Sequence, residues 1–209
     1  MKNIAVLVSG GGTNLQALID AQKSGIINSG EIALVVSNKA DAFALTRAKN
    51  AGIKTATVLK SECKDRNEFE EKIINLLKDE GIDVIVLAGF MVILSERFTK
   101  TFDKRIINVH PSLIPSFCGE GFYGLKVHEE ALKYGVKVTG ATVHFVNEIA
   151  DGGEIIMQKA VEIKDGDTPE ILQRRVMEEA EWKILPKAVR LFCDGKITVE
   201  NDKVYIKGE

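Results

Sequence analysis

The sequence predicts an α/β fold: a mostly parallel, twisted sheet with helices on both faces, then antiparallel C-terminal strands, a long C-terminal helix and a small terminal hairpin. Three observations carry that expectation. Up to residue 110, short β-branched runs alternate with longer stretches of helical periodicity, the pattern of parallel strands joined by right-handed crossovers. Gly25, Gly52 and Gly81 stand just past three of those stretches, where a left-handed residue ends a helix at least cost. Beyond residue 110 the alternation stops at a segment rich in Pro, Ser and Gly.

In order, residues 4–8, 32–37, 54–58, 84–87 and 106–109 read as strands, and 15–23, 42–51, 67–78 and 95–102 as the helices between them. The stretch 67–78 is the clearest, with Phe69, Ile73, Ile74, Leu76 and Leu77 forming an apolar face. Residues 111–126 read as a long loop and 127–134 as a short helix. The extended runs 138–145 and 155–161 flank a turn-rich segment and look antiparallel. Thr168 and Pro169 suit the N-cap and first position of a long terminal helix. Pro186 lies inside that helix and should kink or split it. Residues 197–200 and 204–206, joined by Asn201-Asp202, complete the hairpin. No repeat, low-complexity tract or linker interrupts the pattern. The expectation is therefore one domain over 1–209, with a phosphate-binding βαβ half in 1–110 and a second part in 111–209.

Composition narrows the function classes. The chain has 209 residues, 45% of them hydrophobic, and a formal net charge of −2, so it is expected to fold and to have no general attraction for nucleic acid or anionic membranes. Its apolar runs are far shorter than a membrane span, and the N-terminus has no signal-peptide core. Three cysteines with no Cys-x-x-Cys spacing favour a cytoplasmic protein over a disulfide or zinc framework. All three histidines, His110, His128 and His144, fall between residues 110 and 144. They lack metal-ligand spacing.

Four segments suggest chemistry. Ser9-Gly10-Gly11-Gly12-Thr13-Asn14-Leu15 lies between the first strand and helix, where backbone N–H groups and the helix dipole favour an anion. A Rossmann-like dinucleotide fingerprint fails there, because Leu15 replaces the third glycine and Asn38 stands where an acidic residue should. No Walker Lys follows either. A monophosphate-sized site remains, against the plainer account of a tight glycine turn. Next, Asn108 and His110 sit two apart at the end of the fifth strand, so both address one side. Asn can donate to an oxyanion and His can exchange a proton near neutral pH; a purely structural histidine is the competing account. Asp151-Gly152-Gly153 is an ordinary Asp-Gly turn, or a loop-borne carboxylate that raises a histidine pKa and accepts a proton. Finally, Gly89 and the run Met91, Val92, Ile93, Leu94 place an apolar wall at the ligand-binding edge of the sheet, suited to a planar heteroaromatic ring. No nucleophile signature competes. His144 lies in an alternating strand and reads as structural or as support behind the site, and His128, heading a short helix, as a cap-region residue or a ligand contact.

Together the segments SGGGTNL, SNKADA, LAGFM, INVHPSLIP, TGATVHFV and DGGEII, in that order, resemble the phosphoribosylglycinamide formyltransferase family, the folate-dependent formyl transfer enzymes of purine synthesis. The resemblance covers almost the whole chain. It implies that Gly12, Thr13 and Asn14 hold the substrate phosphate, with Glu178 and Glu181 on the glycinamide or ribose side. It implies a 10-formyltetrahydrofolate site from Arg66, Met91, Val92, Ile93, Leu94, Asn108, Asn147, Glu148, Ile149, Ala150 and Asp151. Asn108, His110 and Asp151 would be catalytic, and His128 and His144 would lie behind them. Val92 stands where some relatives have Arg, and the loop 116–124 is longer than is common in the family.

The expected reaction is direct attack of the glycinamide amine on the formyl carbon through a tetrahedral intermediate. Asn108 and protonated His110 stabilise the oxyanion, and Asp151 keeps His110 charged. No metal or ATP is expected, and the partners are small molecules, with the chain a monomer or homodimer. Three enzyme alternatives are disfavoured. Formyltetrahydrofolate hydrolase normally carries an extra N-terminal domain, whereas Met1 lies three residues before the first core strand. Methionyl-tRNA formyltransferase needs a tRNA-binding domain and a basic surface, and an oxidoreductase needs the missing fingerprint. A non-catalytic small-molecule sensor would not need the three catalytic-type residues.

Overall fold

Five consecutive apolar residues from Ile4 to Val8 make up most of strand β1 (Lys2–Val8), and all five are fully buried. The structure, a computed structural model, describes residues 1–208. Burial at successive residues means that both faces of the strand are covered. The same holds for β4 (Val84–Leu87). Strand β1 pairs in parallel with β2 (Gly30–Ser37) on one side and with β4 on the other, and β2 pairs in parallel with β3 (Lys54–Thr57). The crossovers are α1 (Thr13–Lys23), α2 (Phe43–Asn50) and α3 (Arg66–Asp79). With β5 (Ile106–His110), β6 (Val138–Phe145) and β7 (Ile155–Glu162), the sheet order is β3-β2-β1-β4-β5-β6-β7. The order reverses between β1 and β4, and ligands of open α/β sheets bind beside the carboxyl ends of strands at such a point.

The chain divides into two compact units, the first ending at Ile107 and the second beginning at Asn108. In the first, α3 starts on a reciprocal cap. Asp65 accepts from the Glu68 N–H at 2.9 Å, and the Glu68 carboxylate accepts from the Lys64 N–H at 2.8 Å. Its inward face is Phe69, Ile73, Ile74 and Leu77, together with Glu70. Gly25, Gly52 and Gly81 all have positive φ, as their positions after helices require. Helix α4 (Glu96–Thr101) is capped by Ser95, whose hydroxyl accepts from the Phe98 N–H at 3.2 Å.

In the second unit, β6 and β7 form the antiparallel pair, with Thr139 opposite Val161 and Val143 opposite Met157. Helix α5 (Leu125–Tyr134) starts two residues before its expected position. Thr168 caps α6 (Pro169–Val176), its side chain accepting from the Ile171 N–H. The terminal helix is interrupted, but not at Pro186: a π-helical turn, Met177–Glu181, separates α6 from α7 (Trp182–Cys193), and Pro186 lies inside α7. A proline ring presses on the carbonyl four residues earlier, here Trp182. The wider turn ends directly before that residue. Asn201 and Asp202 have φ of 50° and 57° and join β8 (Ile197–Glu200) to β9 (Lys203–Ile206), the geometry of the twist-matched hairpin turn. No helix among the described residues is long and apolar enough to cross a membrane.

Candidate active site

The glycine loop after β1 is braced by α2. The Ala44 N–H donates to the Gly10 carbonyl at 3.0 Å, and Arg47 Nε donates to the Gly11 carbonyl at 2.8 Å. Gly12 caps α1 with φ 72°, and a Cβ there would sit 2.6 Å from the Ala44 Cβ and 2.9 Å from its Cα. Gly12→Ala is therefore expected to cost about 1–3 kcal/mol in a urea titration, from overpacking and a left-handed backbone. Gly11 has neither constraint, since a methyl group added there would meet no atom within 4 Å and its φ is not positive. Gly11→Ala should thus stay within about 0.5 kcal/mol of the parent. A tight turn accounts for Gly12 alone; Gly10 and Gly11 border open space in front of a helix N-terminus that carries no acidic residue in its first turn.

Ser9 ties three strand ends together. Its hydroxyl donates to Asn38 Oδ1 at 2.6 Å and accepts from the Met91 N–H at 2.9 Å. Asn38, at the position that fails the dinucleotide test, is thus an acceptor for this link. Residues 91–94 lie outside any helix or strand, with Met91 and Ile93 about half exposed and Val92 and Leu94 buried. Arg66, at the start of α3, donates through Nη2 to the Ile93 carbonyl at 2.8 Å.

The second unit brings the catalytic-type residues together in one chain of contacts. Asn108 Nδ2 lies 3.2 Å from His144 Nε2, His144 Nε2 lies 3.7 Å from Asp151 Oδ1, and Asp151 Oδ2 lies 3.4 Å from His110 Nδ1. The Nδ1–H of His144 donates to the Phe145 carbonyl at 2.7 Å, which leaves Nε2 facing Asn108 and Asp151. His144 is therefore a central member of the chain, with Asn108 and Asp151 on one nitrogen. Alternation along β6 could not have indicated this, because every residue from Thr139 to Phe145 is buried.

Asp151 has φ 55° and accepts from the Gly119 N–H at 2.8 Å. The glycines after it are sterically required: a Cβ on Gly152 would meet the Ile149 side chain at 2.6 Å, and one on Gly153 would meet the Phe145 carbonyl oxygen at 1.8 Å. Burial pushes the Asp151 pKa up, but His144, the charge of His110 and the Gly119 N–H together hold it below the ordinary carboxylate value. The carboxylate is ionised at neutral pH.

His110 departs from expectation. Its Nε2 lies 2.9 Å from the Phe117 carbonyl and its Nδ1 faces Asp151, so oxygens on both sides favour the imidazolium. Burial opposes the charge and prevails, aided by His144, and the pKa falls below the ordinary histidine value despite Asp151 and Phe117. In this state Asp151 raises the basicity of His110 without keeping it protonated. The loop after β5 is held by buried Thr142, which donates to the Ser112 carbonyl at 2.7 Å and accepts from the Ile114 N–H at 3.1 Å. Cys118 donates to the Pro115 carbonyl, and burial and Asp151 push its thiol pKa up, the opposite of what a nucleophile needs.

His128 on α5 is fully buried, with neither ring nitrogen hydrogen-bonded among the described residues. Burial, then the charge of His110, lower its pKa from 6.5 to about 4. Between those values the unfolded chain binds a proton that the folded chain does not, so stability falls as pH drops through that window, by up to ~3 kcal/mol. Urea midpoints at pH 7 and pH 4.5 should show that fall, and His128→Leu should flatten it. Glu181 is buried in the π-helical turn, while Glu178 is exposed and pairs with Arg174 at 2.8 Å. Asn147 Oδ1 accepts from the Ile149 N–H at 2.9 Å, Glu148 and Ile149 are exposed, and Ala150 is half-buried. Thr13 is exposed and Asn14 half-buried.

A half-buried carboxylate between two buried histidines, beside an amide donor at the edge of an α/β sheet, is the equipment of an acyl-transfer enzyme. The family model for formyl transferases matches residues 2–189, and the chain belongs to that family. Its relatives include the phosphoribosylglycinamide formyltransferase of Haemophilus influenzae, 42% identical over 209 residues, which are 100% of this chain and 95% of that protein. The human trifunctional purine biosynthetic protein adenosine-3 is 45% identical over 208 residues, 99% of this chain and 20% of that larger protein. Among solved structures, glycinamide ribonucleotide transformylase 1 from Symbiobacterium toebii superposes with a TM-score of 0.92 at 42% identity, over 99% of this chain and 94% of that one.

Proposed function

We propose that the chain transfers a formyl group from 10-formyltetrahydrofolate to the amine of 5-phosphoribosylglycinamide, a step of purine synthesis, in the cytoplasm and without metal or ATP. The contact chain Asn108–His144–Asp151–His110 carries this reading. It supplies an amide donor, a proton-exchanging ring and an ionised carboxylate at one place, as a tetrahedral intermediate requires. Residues 1–209 would act as one formyltransferase domain.

In the first unit, Gly12, Thr13 and Asn14 would hold the phosphate, with the open space at Gly10 and Gly11 admitting its oxygens to the N-terminus of α1. Arg66, Met91, Val92, Ile93 and Leu94 would hold the folate, Val92 through its backbone. In the second unit, Asn108 and the loop residues Asn147, Glu148, Ile149, Ala150 and Asp151 would complete folate binding. Glu181, with Glu178 beside it, would take the glycinamide or ribose side.

The amine nitrogen forms a bond to the formyl carbon and the C–N10 bond then breaks. Asn108 and His110 donate to the oxyanion between these events. For His110 to do so, one ring nitrogen must exchange its partner for the formyl oxygen; the Phe117 carbonyl, on a loop residue with φ 48°, is the partner placed to move aside. The intermediate's negative charge favours the imidazolium that burial opposes in the free site. Asp151 accepts the proton lost by the amine, through water, and a proton returns to N10.

The test is to incubate the protein with 10-formyltetrahydrofolate, with and without phosphoribosylglycinamide. Loss of the formyl group only with the amine is expected. Loss without it would make the protein a hydrolase, and no loss would sink the enzymatic reading.

A further inference from the structure

Glu70 is a charged residue on the apolar face of α3, only 2% exposed. An apolar side chain would complete that face without a desolvation cost, so stability alone does not explain the carboxylate. Both oxygens accept hydrogen bonds. Oε1 accepts from Arg66 Nε at 3.0 Å and from the Ser95 N–H at 2.9 Å, and Oε2 accepts from the Ser95 hydroxyl. Arg66 then donates to the Ile93 carbonyl. One buried carboxylate therefore holds two points of the segment 91–95: its end at Ser95 directly, and its middle at Ile93 through Arg66. Ser9 holds the beginning of the segment at Met91.

We propose that Glu70 is a positioning residue for the formyl donor, setting the backbone course of residues 91–95 and the aim of Arg66 without touching the ligand. The proposal rests on the reading that Arg66 and residues 91–94 hold the folate. A carboxylate suits the task because it accepts from three donors at once. Leucine keeps the apolar face of α3 and removes every link, while glutamine keeps the shape and part of the bonding.

The test compares wild type, Glu70→Leu and Glu70→Gln. Glu70→Leu should raise KM for the formyl donor about tenfold, the worth of one hydrogen bond to a charged group, with kcat and the KM for the amine within about twofold. Glu70→Gln should restore most of the donor KM. Amide hydrogen exchange across residues 88–98 should quicken in Glu70→Leu while α3 stays protected. An unchanged donor KM, or a parallel rise in both KM values with a fall in Tm, would overturn the proposal. If the wild type transfers no formyl group, the functional reading fails, and the exchange arm still decides the link: unchanged exchange in residues 88–98 overturns it.

Discussion

His110→Ala is expected to lower kcat by about 10²–10³ while leaving KM for both substrates nearly unchanged. The ring is 4% exposed, so it contributes little surface to substrate binding in the ground state. Its two nitrogens face the Phe117 carbonyl and Asp151, and a donor gains most when negative charge develops on the formyl oxygen. Its removal falls on the transition state, so kcat and kcat/KM should drop together. Steady-state kinetics with each substrate varied in turn decides the matter. Near-normal turnover would remove His110 from the scheme.

Asp151→Asn should produce a loss of similar size, about 10²–10³ in kcat, with an additional signature. Asn keeps the size of the side chain and can still accept from the Gly119 N–H, so the left-handed turn at residue 151 should survive. It removes the charge that pulls the His110 pKa upward against burial. Without that charge His110 stays neutral to lower pH than in wild type. An NMR titration of the His110 ring should show its midpoint displaced toward acid. A variant with the kinetic loss but an unmoved midpoint would leave Asp151 a proton acceptor alone, with no hold on the ring.

Much of this architecture is legible in residue order because it depends on local periodicity. Helix α3 runs Arg66–Asp79 where the apolar face predicts 67–78, and β4 and β6 match their expected bounds. The terminal hairpin follows from Asn201-Asp202, two residue types that tolerate positive φ. What is not legible depends on burial and on distant partners. Glu70 reads as solvent cover by residue type, yet its place three and four residues before Ile73 and Ile74 puts it on the buried face. That spacing is the available signal. Ser9 and Asn38 meet only because β1 and β2 are paired. The charge state of His110 escapes the sequence for a related reason: a neighbouring carboxylate is visible in a motif, whereas the burial that outweighs it is not. Likewise the Asp-Gly-Gly turn can be read, but not the Ile149 and Phe145 atoms that exclude any side chain after Asp151.

The Phe145 N–H donates to the Glu154 carbonyl at 2.9 Å, closing the short loop that carries Asp151 at its neck. In the proposed function, the proton acceptor and the exposed folate-contacting positions are thereby set apart within a few residues. The carboxylate lies next to the closed neck, where the two glycines and the strand pair fix it, while Glu148 and Ile149 lie exposed toward the tip. Drift at those tip positions can alter what the loop lies against and leave Asp151 where it is. In the proposed function, a loop divided in this way lets the contacts at its tip change by small mutational steps while Asp151 keeps its place.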